Sequence, residues 1–286
     1  MRKLNLLLST AGVLVLLVFL TGFASTQLPK EKLDSLKKEI PTEWWEGGWD
    51  KSAQIEEIKS ESPSDPSIQA KAQYLIACQH YAGRQHELAI QEFRSIITDY
   101  PSAWQECQKA QFEIAQMNLY RLDDPEQAIK EYEYALDNYP KSYISPMAKL
   151  GIARSYRRLS KPDLALEVYQ ALLKTYPENK KEITQANIDV AELYIEQALA
   201  SGVSDSDRKN KLGEAVSSYK RAYQVCNIED TELLKQSIDG ICRAFRCADM
   251  NLVRANSFIL FQKYGPEGED AVSGTKDDLT DPLKDF

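Results

Sequence analysis

The sequence predicts an all-α chain, an α-solenoid of about five helix-turn-helix units, and three observations carry that expectation. The segment ALEVYQALLKTYP, Ala165 to Pro177, has two relatives upstream: AIKEYEYALDNYP, Ala128 to Pro140, and AIQEFRSIITDYP, Ala89 to Pro101. Their starts are 37 and 39 residues apart, within the roughly 20–50-residue periods that mark stacked repeats. Each is preceded by a second apolar segment whose alanine (Ala77, Ala115, Ala153) stands 12 or 13 residues ahead of Ala89, Ala128 or Ala165. Finally, only Gly83, Gly151, Gly202, Gly213 and Gly240 fall between Ser64 and Tyr264, too few for a chain of β-hairpins or a phosphate-cradling loop.

The N-terminus reads as an address. Arg2 and Lys3 precede an uncharged run whose densest part is Ala11 to Leu20, and Gly22 and Ala24 stand at the −3 and −1 positions of a cut before Ser25. That is the layout of a signal peptide over residues 1–24. The alternative is an uncleaved anchor, since Leu4 to Phe23 is long enough to cross a bilayer as a helix of about 30 Å. Either way the rest of the chain is expected outside the cytoplasm, periplasmic or associated with the cell envelope, with membrane anchoring through the N-terminus in the second case. Residues 25–63 form a tryptophan-containing segment and linker. Lys30 to Glu39 reads as a short charged helix, and Trp44, Trp45 and Trp49 in PTEWWEGGWD are suited to capping the first repeat, sealing a partner interface or sitting at a membrane surface.

Residues 64–265 hold the repeats. Ala165, Tyr169 and Leu172 lie at the i, i+4, i+7 spacing of a helix face, and the matched alanines let the two helices of a hairpin approach where a larger side chain would wedge them apart. Pro125 after Asp124, Pro146 after Ser145, and Pro162 open helices; Pro101, Pro140 and Pro177 end them. A small residue, a second one 12 later, an aromatic at +4, a small or aliphatic residue at +7 and proline at +12 together resemble the tetratricopeptide repeat. The resemblance covers about residues 66 to 264. The third unit (Ile152-Ala153, Tyr156, Ala165, Tyr169, Leu172, Pro177) fits without gaps, and the second carries one extra residue in its hairpin. A fourth unit is readable in Val190 to Tyr194 and Glu214 to Gln224, with ASGVSDSDRKNK as a long turn; a fifth, Leu233 to Tyr264, is degenerate. The Tyr-Pro ends and long periods make the chain similar to the longer-repeat periplasmic adaptors of bacterial envelopes, of the β-barrel assembly lipoprotein and Tol-Pal coordinator type. The lipidated cysteine of the former has no counterpart, because no cysteine lies between Leu17 and Gln27.

Residues for catalysis are sparse. His80 and His86 are six apart, not the four that put two ligands on one helix face, and His80 reads as a hairpin residue. Asp205 and Asp207 suggest a calcium loop, but Lys209 stands where a third oxygen is needed, so a solvated loop is expected. Glu131 and Glu133, two apart on a helix, read as surface charge. The five cysteines, Cys78, Cys107, Cys226, Cys242 and Cys247, have no redox spacing and read mostly as small buried hydrophobes. No enzyme activity, metal or cofactor is therefore expected. The net charge of −8, or −10 once Arg2 and Lys3 leave with the first 24 residues, disfavours nucleic acid.

What remains is binding of a protein or peptide as a scaffold, with a structural subunit or assembly factor of an envelope complex, or a cell-wall or polysaccharide-associated module, as the alternatives. In such repeats the first helix of each pair lines the concave wall. The resemblance places Lys71, Tyr74, Cys78 and Tyr81 there from the first unit and Lys109, Phe112, Gln116 and Tyr120 from the second. The third unit contributes Arg154, Arg157 and Arg158, spaced i, i+3, i+4. This stripe suits an acidic or C-terminal peptide; the alternative is that neighbouring acids such as Glu192 neutralise it. Tyr74 and Cys78 depart from the carboxylate-clamp pattern of chaperone-tail adaptors. Residues 266–286, with seven acids against two lysines, have the composition of a disordered tail, either solvating or folding back onto the arginines.

Overall fold

The computed structural model of the chain describes residues 28–39, 50–140 and 142–247. The N-terminal address, Trp44, Trp45, Trp49 and the acidic tail lie outside them. Among the described residues there are eleven helices and no strand. They are α1 Pro29–Lys38, α2 Ser52–Glu61, α3 Pro66–Ala82, α4 His86–Asp99, α5 Trp104–Tyr120, α6 Pro125–Asn138, α7 Ser145–Arg158, α8 Pro162–Thr175, α9 Lys180–Leu199, α10 Asp205–Val225 and α11 Thr231–Cys247. The chain divides into two compact units between Ala110 and Gln111, within α5.

The first three hairpin turns are built the same way. The residue two before the second helix has positive φ: Arg84 (60°), Asp123 (53°) and Ser160 (56°). A left-handed residue reverses the chain and lets a late amide close on a carbonyl of the finished helix. Gln85 N–H donates to His80 O (2.9 Å) and Lys161 N–H to Tyr156 O (2.9 Å), both five residues back. In the second hairpin, Asp124 N–H reaches six residues back to Asn118 O (2.8 Å), which is where the extra residue goes. Asp124 then caps α6 by accepting from Gln127 N–H (2.9 Å). Ser145 does not cap α7 as expected: it lies inside the helix, and its hydroxyl donates to Tyr139 O (3.3 Å), tying α7 to the end of α6.

The Tyr-Pro corners also repeat. Tyr100, Tyr139 and Tyr176 take φ/ψ of −125°/50°, −130°/54° and −128°/53°. Proline's ring excludes the helical region for the residue before it, so three identical dipeptides stop three helices with one geometry.

In the first unit, α1 and α2 lie against α3, burying Leu33, Leu36, Ile55 and Ile58 with Ile68, Ala72 and Leu75. The charged helix expected at Lys30 to Glu39 forms as α1, and the segment read as a linker supplies a second helix, α2, beside it. Lys32 Nζ reaches Glu61 Oε1 between them at 2.5 Å. The α3–α4 hairpin closes over Ala77 and Ala89, both with no exposed surface, and His80 Nδ1 sits 2.7 Å from Gln85 Oε1 in its turn. Cys107 is buried, its thiol donating toward Tyr100 O (3.3 Å), and desolvation pushes its pKa up.

In the second unit the matched alanines Ala115, Ala128, Ala153 and Ala165 are all fully buried, with Ala191 and Ala215 continuing the series in the fourth repeat. Tyr132, Tyr169 and Tyr219 are the largest fully buried side chains. Two of them press on a glycine. A methyl added to Gly151 would lie 2.7 Å from the Tyr132 hydroxyl, and one added to Gly240 would lie 2.7 Å from Cδ1 of Tyr219, with other ring carbons nearer still in both cases. Glu131, expected at the surface, is buried: Gln111 Nε2 donates to its Oε2 (2.7 Å) and Gln127 Nε2 to its Oε1 (2.8 Å), whereas Glu133 is exposed.

Of the stretch expected as a long solvated turn, residues 200–204 form the turn and the rest is helical. α10 starts at Asp205, where Ser204 Oγ accepts from Asp207 N–H (3.1 Å) and Asp205 and Asp207 face the positive end of the helix. The two acids that suggested a cation loop are first-turn residues, and the insertion lengthens α9 and α10 to 20 and 21 residues.

The glycines give the first test. Gly151→Ala and Gly240→Ala should each lower stability by about 1–3 kcal/mol, because the facing rings have no room to move. Gly213, inside α10 with open space about it, should gain about 0.5–1 kcal/mol as alanine. Urea denaturation of the three variants checks the contrast.

Candidate functional site

The second half of α5 and the whole of α7 and α9, each the first helix of its pair, lie side by side in the second unit. Two adjoining depressions open along them. One, about 210 Å³, is lined by Phe112, Gln116 and Tyr120 of α5, by Met147, Leu150, Gly151 and Arg154 of α7, and by Lys181, Glu182 and Gln185 of α9. The other, about 450 Å³, is bounded by Tyr120, Arg154, Arg157, Arg158 and Glu196.

The three arginines share a stripe as their spacing requires, but their partners differ in depth. Arg154 grips Asp189 with two parallel bonds, Nε to Oδ2 (2.6 Å) and Nη2 to Oδ1 (3.2 Å). Asp189 is buried and also accepts from the Tyr169 hydroxyl (3.2 Å) and Gln185 Nε2 (3.0 Å). Burial opposes the charged guanidinium of Arg154, yet the hydrogen bonds and charge of Asp189 more than offset it, and the pKa is raised. Arg157 pairs with Glu196, Nε to Oε2 at 3.1 Å, and that hydrogen bond raises its pKa too. Arg158 donates to Leu119 O (2.8 Å) and Asp123 Oδ1 (2.6 Å), and its guanidinium lies over the Tyr120 ring at 5.4 Å. The side chains of Glu196 and Asp123 are 53% and 83% exposed, against 8% for Asp189. One pair belongs to the frame; the other two are solvated ion pairs worth about 0–1 kcal/mol.

Neutralising acids are therefore present, though Glu192 is not among them. Glu192 accepts from the Tyr219 hydroxyl and from Arg243 of α11. The partners Asp189, Glu196 and Asp123 stand 35, 39 and 35 residues from their arginines, about one repeat period, and that register was the readable signal. The α9 residues Lys181, Glu182 and Gln185 and the apolar floor of Met147 and Leu150 carried no such signal.

The structure brings Gln116, Tyr120, Arg154, Arg157 and Arg158 together. The first-unit candidates are engaged locally. Lys71 pairs with Asp34 of α1, and Tyr74 lies edge-on to Phe93 (5.3 Å) with Lys37 over its ring (5.3 Å). Tyr81 tilts against His86 (5.8 Å), and Lys109 Nζ reaches Glu106 Oε1 at 4.0 Å. So α1 sits on the face where Lys71 and Tyr74 were expected to meet a partner. Among the described residues no group of three or more His, Cys, Asp or Glu could hold a metal, and no helix is long and apolar enough to cross a membrane.

Two tetratricopeptide-repeat family models match the sequence, over residues 71–103 and 117–180. Those two segments carry tetratricopeptide repeats. No curated protein matches it. Among solved structures it is similar to PilW, a widely conserved type IV pilus biogenesis factor, at 14% identity and a TM-score of 0.54, covering 87% of this chain and 98% of that one. It is also similar to BtubC from P. vanneervenii, at 11% identity and a TM-score of 0.56, covering 83% and 91%. At such identities the likeness shows the fold alone, an all-α tetratricopeptide-repeat solenoid. The second matched segment runs from Met117 through α6, α7 and α8, so the arginine stripe and Tyr120 lie inside recognised repeats.

Two tests follow from these pairings. Arg154→Ala should cost about 3 kcal/mol, since it strands a buried carboxylate, whereas Arg158→Ala should change stability by under about 1 kcal/mol. Chemical denaturation separates them. The Lys71 hydrogen bond holds the Asp34 carboxyl below its ordinary range. The stabilisation this implies is complete above the ordinary value near 4 and disappears as pH falls through the depressed one. Hydrogen exchange in α1 should accelerate over that acid range, and Asp34→Asn should remove the pH step.

Proposed function

We propose that this chain is a non-catalytic adaptor of the cell envelope, exported by residues 1–24 and holding a peptide or partner protein along the α5–α7–α9 face of its second unit. The tetratricopeptide-repeat fold, typically a protein-interaction scaffold, supports the class, and the layout of the first 24 residues supports export. The observation that carries the site is the graded arginine stripe. Arg154 is fixed by a buried carboxylate, while Arg157 and Arg158 hold exposed acids that a ligand carboxylate can replace with little loss. Gln116 and Tyr120 extend the surface beside them. An acidic segment or a C-terminal carboxylate is the partner chemistry this arrangement suits.

A second reading, an assembly factor or structural subunit of an envelope complex, draws support from the likeness to a structure described as a pilus biogenesis factor. In that reading the same face is filled permanently. The similarity to longer-repeat periplasmic adaptors is compatible with both.

Arg157→Glu tests the site. It places two carboxylates side by side, so an acidic peptide titrated against the variant by fluorescence anisotropy should lose binding at least tenfold. The thermal melt should move little, because the Arg157–Glu196 pair is solvated. Equal affinity in the variant removes the arginine face from the function.

A further inference from the structure

The two depressions of the α5–α7–α9 face differ in chemistry. The smaller has an apolar lining in Phe112, Met147 and Leu150, with Gly151 next to them supplying no side chain. Phe112 and Met147 are half-buried, so part of each is left for a ligand to cover. Its charged lining residues are Arg154, Lys181 and Glu182, and Arg154 already holds Asp189. An acid therefore gains little there. The larger depression is bounded by Arg154, Arg157, Arg158, Tyr120 and Glu196, three cations against one anion. The two meet at Tyr120 and Arg154, which line both. At about 210 Å³ the smaller lies below the roughly 300–1,000 Å³ of small-molecule sites, and its size suits one large side chain. A whole helix, about 10 Å across, is too wide to enter it.

Because α7 runs through both depressions, it sets the distance between them. Leu150 stands seven residues before Arg157 and eight before Arg158, about 10–12 Å along the helix axis. An extended peptide turns alternate side chains to the same wall and rises about 3.3 Å per residue, so side chains four apart are about 13 Å apart. An apolar residue seated over Leu150 thus brings an acid four positions away to Arg157 and Arg158. Side chains two apart span only about 7 Å and reach Arg154, whose own carboxylate partner is buried and fixed. Arg157 and Arg158 are the exchangeable pair, since the side chains of Glu196 and Asp123 are exposed.

We propose that this face reads a two-part extended segment of a partner protein: a large apolar residue enters the depression lined by Phe112, Met147 and Leu150, and an acid four positions away meets Arg157 and Arg158. This deepens the proposed function and rests on it, since the arginines must accept the partner's acid. Charge complementarity chooses the acid, and the apolar lining chooses the anchor. Burying a side chain of that size strengthens binding by about ten- to a hundredfold, whereas a solvated ion pair adds little. The anchor therefore decides which acidic segments are held.

The test titrates the full chain, isotope-labelled at methionine methyl groups and arginine Nε, with Ser/Gly peptides carrying one Phe and one Glu, followed by NMR. With the two residues four apart, in whichever order binds better, the Met147 methyl should shift under the bound ring while the buried Met117 methyl stays in place. Arg157 Nε should shift with it. Replacing Phe by Ser should weaken binding at least tenfold, and moving Glu next to Phe at least fivefold. Met147→Trp, which fills the depression, should erase the preference for the Phe peptide over the Ser peptide, with a thermal melt to check folding; the peptide series decides the matter if that variant does not fold. Equal affinity for the Phe and Ser peptides, indifference to spacing, or a bound Phe peptide that leaves Met147 unmoved overturns the proposal. If the Ser peptide binds as well as the Phe peptide and Arg157→Glu abolishes both, the anchor is excluded and the acid-binding reading stands. If none of the peptides moves any methionine or arginine signal, both readings fall.

Discussion

Close approach of helices at small residues is the constraint on which the other features depend. Where the two helices of a pair cross, alanine faces alanine, and each fully buried pair removes side-chain bulk from the contact. Volume removed there is restored one turn along by an aromatic ring. Tyr132 and Tyr219 lie flat enough against a neighbouring first helix that only glycine fits beneath them, at Gly151 and Gly240. Small and large residues therefore come in register, which explains why the motif recurs as a set: a change in one member leaves either a void or a clash, each costing about 1 kcal/mol or more.

The parts of the fold that were legible in the sequence are those fixed by covalent geometry or by bulk. Proline after tyrosine stops a helix whatever surrounds it, and alanine at matched positions has one use in a stack. The extra residue of the second hairpin was visible as a 13-residue spacing and emerges as a closing hydrogen bond one residue longer. Features set by competition between weak terms were not legible. The left-handed residues of the first three hairpin turns are arginine, aspartate and serine instead of glycine, because the closing hydrogen bonds offset a strain of about 1–2 kcal/mol. The run from Asp205 reads as a polar loop by composition, but a serine cap with two first-turn acids extends the helix. Glu131 and Glu133 look alike in sequence and differ in burial because two glutamines reach only the first.

The same distinction governs the candidate site. That three arginines share a face follows from 3.6 residues per turn and was readable at once. Which acids meet them depends on the stagger between α7 and its neighbours, a tertiary quantity, although the separations of about one repeat record it. Depth then sorts the pairs. Asp189, desolvated and bonded by three side chains, positions Arg154 as part of the framework; Glu196 and Asp123, in water, hold Arg157 and Arg158 loosely. In the first unit α1 covers the face that holds Lys71 and Tyr74; in the second unit the depressions along α5, α7 and α9 are open.

A repeat protein that filled every equivalent position would have a uniform surface and nothing to distinguish one partner from another. This chain breaks its pattern at one place. Tyr169 and Tyr219 have carboxylates from α9, whereas Tyr132 has no hydrogen-bond partner among the described residues. Gly151, needed for the close approach of the ring, also lines the depression beside it. Packing and surface shape are thus linked through one residue: the rule that lets the helices stack also hollows the face beside Gly151.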